Sequence, residues 1–266
     1  MLKHRVIPAL LLQNGGLVKT LKFKTPKYVG DPINAIRIFN EKEVDELMVL
    51  DISASKKTQE PDYALIERFA SECFMPLTYG GGITHLNQAG RIFSLGVEKI
   101  CLQTASLDNP HLVAQLAERF GSQSVVVSID VKRNWMGKPQ LFGAAQGNPQ
   151  PTHWLEMAQQ LVQAGAGEVL LNAVDRDGTL QGPDIELVQE ASAKITVPLI
   201  AVGGVSSLDD IKALVDAGAS AVAAGAFFVF HGPHRAVLIT YPRYHELEAL
   251  FTSKEFVKSS RNLETK

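Results

Sequence analysis

Eight short runs of apolar and β-branched residues punctuate the chain: VIPALLL (6–12), ELMVLDI (46–52), PLTYGG (76–81), KICLQT (99–104), VVVSID (125–130), EVLLNAV (168–174), PLIAVGG (198–204) and AVAAGA (221–226). They are apolar at successive positions rather than alternate ones, the pattern of strands covered on both faces. Between them lie segments with helical spacing of apolar residues, such as DYALIERFASEC (62–73), NPHLVAQLAERFG (109–121) and SLDDIKALVDAGA (207–219). Strands alternating with helices predict parallel pairing, because each crossover needs a helix. Eight such units in about 250 residues predict a TIM (β/α)8 barrel over residues 1–252, with a doubly wound open sheet as the alternative. Beyond residue 252 the sequence is polar and aperiodic, which predicts a mobile tail over 253–266.

The pattern also repeats. Residues 76–97, PLTYGGGITHLNQAGRIFSLGV, align with 198–219, PLIAVGGVSSLDDIKALVDAGA, at a constant offset of 122. Pro76 falls on Pro198, Gly81 and Gly82 on Gly203 and Gly204, and Gly96 on Gly218. At a nearly equal offset VLDIS (49–53) meets AVDRD (173–177), pairing Asp51 with Asp175. This predicts a barrel built from two duplicated half-barrels. Extending the repeat at a slightly shorter offset sets PALLLQ (8–13) against VSIDVK (127–132), with Leu11 opposite Asp130.

Composition narrows the partners. The 266 residues are 45% hydrophobic and 20% charged with a formal net charge of −2, enough for one large core. That balance gives no reason to expect nucleic acid or an anionic membrane surface. Cys73 and Cys101 sit in apolar segments and read as buried thiols of a reducing compartment. Lys3, His4 and Arg5 before the run Val6–Leu12 imitate a secretory leader, but the run is short and no small-residue cleavage site follows. With no stretch long enough to span a bilayer, the expected location is the cytoplasm.

In a barrel, the loops after strands three and four and after strands seven and eight form neighbouring patches on the C-terminal face. GGGI, QTAS, VGGV and GAFF occupy those loops. Glycine lets backbone N–H groups approach an anion, and a following helix end adds a favourable field. Barrel phosphate sites commonly follow strands seven and eight. The duplication predicts a second such site across the mouth, and so an elongated substrate phosphorylated at both ends. The competing reading is that these glycines only turn tight loops.

The GGG and GG loops, the central SIDVKR, FGSQ, and DRDGT at 175–179 resemble the histidine-biosynthesis barrels, most nearly the HisF family. The resemblance covers roughly residues 1–230. It implies a barrel whose N-terminal face binds a HisH-like glutaminase as a heterodimer. Ammonia then crosses the barrel to a bis-phosphorylated substrate, PRFAR, giving imidazole glycerol phosphate and AICAR. Residue by residue, it implies phosphate contacts at Gly82 and Thr104 in one half and at Gly178, Gly204 and Gly225 in the other. Lys19, Asp51 and Asp177 complete the implied substrate set. Asp130 matches one of two catalytic aspartates, and the other aligns with Leu11. Leucine can neither give nor take a proton, which leaves the acid–base pair incomplete. Gln103 stands where the family has asparagine, and Asn14 replaces a residue usually acidic.

The other end keeps the family pattern. Arg5, Glu46, Lys99 and Glu168, each at or near a strand start, match a charged ring through which ammonia enters, and Glu98 replaces an aspartate that faces the glutaminase. Entry kept with cyclase chemistry altered resembles a HisF-like group associated with sugar amidation for surface polysaccharides, alongside a separate sugar amidotransferase. The segment FFVFHGPHRAVLITYPR (227–243) also looks like that group; its His231 and His234 read as loop histidines rather than metal ligands. No metal or other cofactor is implied. The expected role is therefore an ammonia-channelling synthase subunit. The alternatives are a functional cyclase of L-histidine biosynthesis and a non-catalytic activator of the glutaminase.

Overall fold

The computed structural model describes residues 4–54, 59–232 and 234–252. Eight strands form the barrel: β1 Arg5–Gln13, β2 Leu47–Asp51, β3 Leu77–Gly80, β4 Lys99–Leu102, β5 Val125–Arg133, β6 Glu168–Ala173, β7 Leu199–Val202 and β8 Ala221–Ala224. Each pairs in parallel with the next, and β8 pairs with β1, so the sheet closes and the open-sheet alternative is excluded. The eight principal helices are α1 Pro32–Glu41, α2 Tyr63–Glu72, α3 Leu86–Ser94, α4 Pro110–Phe120, α5 Trp154–Gln163, α6 Ile185–Ser192, α7 Leu208–Asp216 and α8 Tyr244–Thr252. Caps fix where several begin: Asp31, Asp62, Asp184 and Ser207 each accept the N–H three residues on. The expected tail, 253–266, lies outside the described residues.

Apolar residues fill both faces of the sheet. The larger core lies between strands and helices, with Trp154, Tyr79, Phe39 and Phe69 among its fully buried side chains. A smaller one fills the barrel axis with Ile7, Ala9, Met48, Cys101, Val126, Leu170, Ile200, Ala221 and Ala223.

Strand register confirms the duplication. Leu50 pairs with Gly80 and Asn172 with Val202, both at the offset of 122, so Leu50 and Asn172 are equivalent. Leu11 pairs with Leu50 and Asp130 with Asn172, which makes Leu11 and Asp130 equivalent. The outer neighbours agree, since Ile7 pairs with Ala223 and Val126 with Cys101. The match of Asp51 with Asp175 is not one of register: Asp51 ends β2, whereas Asp175 lies two residues beyond the end of β6.

Both half-barrels raise an excursion after their first strand. After β1 the chain doubles back through Gly16–Leu21 and Lys24–Gly30, a three-stranded meander. After β5 the strand Pro139–Gly143 returns antiparallel from a turn at 134–137. A third excursion follows β8, where Phe230–His231 pairs with Ala236–Val237.

Candidate functional site

The C-terminal strand ends enclose a cavity of about 190 Å³. Its walls include Leu11, Lys19, Asp51, Thr104, Asp130 and Asp177 together with Gly178, Gly204 and Gly225. Residues expected at the substrate site thus converge from seven of the eight strand ends and their loops.

Asp130 reaches the cavity because inward-facing positions on β5 alternate, placing Ser128 on the same face. Ser128 Oγ donates to Asp130 Oδ1 at 3.0 Å, and the Asn172 amide also donates to this carboxylate. Burial outweighs these bonds and, with the nearby charge of Asp177, pushes the Asp130 carboxyl up to about 7. Leu11 occupies the twofold-related position, so no carboxylate faces Asp130 from β1.

Lys19 is buried, and its ammonium donates to the Ala9 carbonyl at 2.5 Å. Burial drives its pKa down to about 8, against the attraction of Asp177. Gly225 makes room for this: its φ is unremarkable, but a Cβ there would lie 2.5 Å from Lys19 Nζ and 3.1 Å from Ala9 O. Asp177 in turn accepts from Thr20 Oγ1 at 2.7 Å and the Phe23 N–H at 3.2 Å, tying the first excursion to the β6 loop. Burial raises the Asp177 carboxyl above its ordinary range.

The other expected contacts divide. Thr104 opens a short helix and donates to Gln103 Oε1 at 2.8 Å, while Gln103 Nε2 donates to the Phe142 carbonyl at 3.1 Å. Asp51 is spent on its own turn, accepting from Ser53 N and Oγ and from Ala54 N. Gly82 is not in the cavity wall. At φ 72° it packs on the α2 approach, where a Cβ would sit 2.7 Å from Gln59 O; Gly81 lines the wall instead. Ser128 and Asn172 were not anticipated. The alternation along β5 would have found the first, and the duplication, by setting Asn172 against Leu50, the second. Among the described residues, no group of three or more histidine, cysteine, aspartate or glutamate side chains could hold a metal.

At the N-terminal end the four expected charges meet. Arg5 binds Glu46 at 2.5 Å and Glu168 at 3.0 Å; Lys99 binds the same two carboxylates at 3.1 Å each. Two cations and two anions thus alternate in a closed ring beneath the apolar axis, and such pairing is what makes burying them tolerable. Thr78, also not anticipated, donates to Glu46 Oε1 at 2.9 Å. Glu168 Oε2 is buried without a hydrogen-bond partner among the described residues. Glu98, on the rim nearby, is exposed and accepts the Leu77 N–H at 2.7 Å. No described helix is long and apolar enough to cross a membrane.

A family profile described as "Histidine biosynthesis protein" matches residues 5–233. A Pseudomonas aeruginosa protein named "Putative imidazole glycerol phosphate synthase subunit hisF2" is 54% identical over 249 residues, covering 93% of this chain and 99% of its own. A similarly named Leptospira borgpetersenii protein is 50% identical over 253 residues, covering 94% and 100%. A Nocardioides protein named "Imidazole glycerol phosphate synthase subunit HisF" is 38% identical over 235 residues, covering 85% and 90%.

Proposed function

The chain belongs to the histidine biosynthesis protein family, and from that premise we propose that it is the HisF-like synthase subunit of a glutamine-dependent amidotransferase. A HisH-like glutaminase binds the N-terminal face beside Glu98 and releases ammonia at the ring of Arg5, Glu46, Lys99 and Glu168. The unpaired Glu168 oxygen there suits an N–H donor. Ammonia crosses the barrel and leaves at the C-terminal mouth. Its destination is sugar amidation in surface-polysaccharide synthesis in the cytoplasm, through a separate sugar amidotransferase. Gly178, Gly204, Gly225, Thr104 and Lys19 hold a phosphorylated small molecule at the mouth.

The observation that carries this reading is Leu11. Ring closure with carbon–nitrogen cleavage needs one group to give a proton and one to take it, each contributing about 10²–10⁴ in rate. The position equivalent to Asp130 supplies neither. A second reading, the cyclase that makes imidazole glycerol phosphate and AICAR from PRFAR, draws support from Asp130 and Lys19, whose pKa values of about 7 and about 8 suit proton transfer. Purified protein distinguishes them. Stimulation of a HisH-like glutaminase without PRFAR turnover is expected; robust turnover of PRFAR with an ammonium salt would return the chain to the cyclase role.

A further inference from the structure

The C-terminal rim carries a charge pattern that the cavity does not use. The excursions after β1 and β5 belong to equivalent positions of the two half-barrels and meet over the mouth, where the Phe23 and Phe142 rings lie 6.2 Å apart. Residues 14–30 contain four lysines and no carboxylate; residues 131–155 contain Lys132, Arg133 and Lys138 and again no carboxylate. Lys19 is committed to the cavity and Arg133 to Asp184. Lys22, Lys24, Lys27 and Lys138 are exposed, Lys132 is partly so, and none of the five makes an ion pair among the described residues. On a chain of net charge −2, two acid-free loops that meet over one opening form a one-signed field.

Each loop also raises an aromatic side chain into solvent. Tyr28 is 67% exposed and Trp135 92%, with Met136 beside it. The Trp135 turn is fixed. Asn134 Oδ1 accepts the N–H groups of Met136 and Lys138 at 2.9 and 3.0 Å, and the Gly137 N–H donates to Asn134 O. Arg133 then bridges the Gly137 carbonyl at 2.8 Å to the Asp184 carboxylate at 2.7 and 2.8 Å. A tryptophan held this way loses little freedom when buried, and tryptophan is over-represented among residues that dominate binding.

We infer that this rim is the docking surface for a second protein, an ammonia-accepting enzyme with an acidic collar around an apolar pocket for Trp135. The inference rests on the ammonia-delivery reading above. Ammonia released at an open mouth is protonated by water and ceases to be a nucleophile, so delivery needs a seal on both sides of the opening. Tyr28 on the return strand of one excursion and Trp135 at the turn of the other are two separate aromatics and do not make the continuous stacking platform a single-stranded nucleic acid needs. Gln140, Gln146, Asn148 and Gln150, interspersed on the same excursion, offer directional hydrogen bonds of the kind protein interfaces use.

The test places photoreactive benzoylphenylalanine at position 135 of the full chain in its native host and, separately, at Phe74, which is 88% exposed on the N-terminal face. The expected adduct at 135 is an amide-forming enzyme distinct from the glutaminase. Once purified, that enzyme should bind the chain at least about tenfold more weakly after Trp135→Ala, the scale of one lost hot spot. Lys24→Glu and added salt should also weaken it. All these positions are exposed, and unchanged thermal unfolding of each variant verifies the fold. An adduct at 135 that is the glutaminase, another copy of this chain or nucleic acid overturns the inference, as does no adduct or Trp135-dependent sedimentation with phosphatidylglycerol vesicles. Glutaminase captured at 74 with nothing at 135 removes the docking surface alone. No glutaminase at 74 and no glutaminase stimulation removes both the surface and the reading beneath it.

Discussion

Leu11 and Asp130 occupy equivalent positions in two copies of one half-barrel, yet one is inert to protons and the other titrates near neutrality. Leu11→Asp should give a measurable PRFAR-dependent rate with ammonium ion where wild type shows little or none. The gain should fall short of the ~10²–10⁴ of a well-placed acid, because Gln103 is turned toward the Phe142 carbonyl and small misplacement is costly. A product assay that reads no gain would mean that Leu11 is not what silences cyclisation. Asp130 and Lys19 also leave opposite marks on stability. The folded Asp130 carboxyl is raised from 3.8 to about 7, so its contribution is fully present below pH 4 and is lost as pH rises to 7. Lys19 is lowered from 10.5 to about 8, so the fold gains as pH rises from 8 toward 10.5. Compared with wild type in urea titrations, Asp130→Asn should flatten the fall between pH 4 and 7, and Lys19→Met the rise above 8. Variants whose profiles parallel wild type would show that neither group is perturbed.

The first excursion is where sequence and structure part most clearly. Its two strands turn at Lys22 and Phe23, both at positive φ (52° and 62°). A tight hairpin turn of that kind normally announces itself through asparagine or glycine, and here neither is present. The sequence therefore reads as a long loop. By contrast, the Asn14–Gly15 turn that starts the excursion is legible, and the apolar runs end within three residues of all eight barrel strands, because a run apolar on both faces admits few other structures. Gly82 shows what the sequence leaves out: besides the anion contact expected there, its φ of 72° and the Gln59 carbonyl in the space of a Cβ require glycine for packing. The turn of the hairpin is held chiefly by Asp177, whose carboxylate takes both Thr20 and Phe23 and whose carbonyl accepts the Lys22 N–H. Asp177→Ala should release it locally, costing roughly 1–3 kcal/mol where donors lose their acceptor. Hydrogen exchange of residues 17–24 should quicken while β5 and β6 stay protected. Uniform quickening across the barrel would show that Asp177 supports the whole fold instead.

Across the whole molecule, the barrel axis is layered: a neutral ring of alternating charges, then an apolar stratum, then a cavity with one titrating carboxyl. Glu46 is almost wholly buried and bonded to Arg5, Lys99 and Thr78 together, so removing one cation should cost up to about 3–5 kcal/mol by stranding charge. Lys99→Met should therefore be strongly destabilising in urea, and the double variant Lys99→Met/Glu46→Gln less so than the two singles summed. Strict additivity would mean that Lys99 and Glu46 are not energetically coupled.

The apolar stratum has a further effect on proton traffic. Ile7, Met48, Cys101, Val126, Leu170, Ile200, Ala221 and Ala223 offer no relay for a proton and no solvation for an ion. The axis is thus an insulator to charge. Asp130 can exchange its proton only upward, through the mouth. Any ligand that stoppers the mouth isolates that proton from bulk pH, so the carboxyl keeps the ionisation it had when the ligand arrived. A pH jump followed through the carboxyl carbon resonance of Asp130 should register at once in the empty protein and lag in one saturated with a mouth-filling phosphate ester. The ligand would then be held with a proton inventory fixed at the moment of binding.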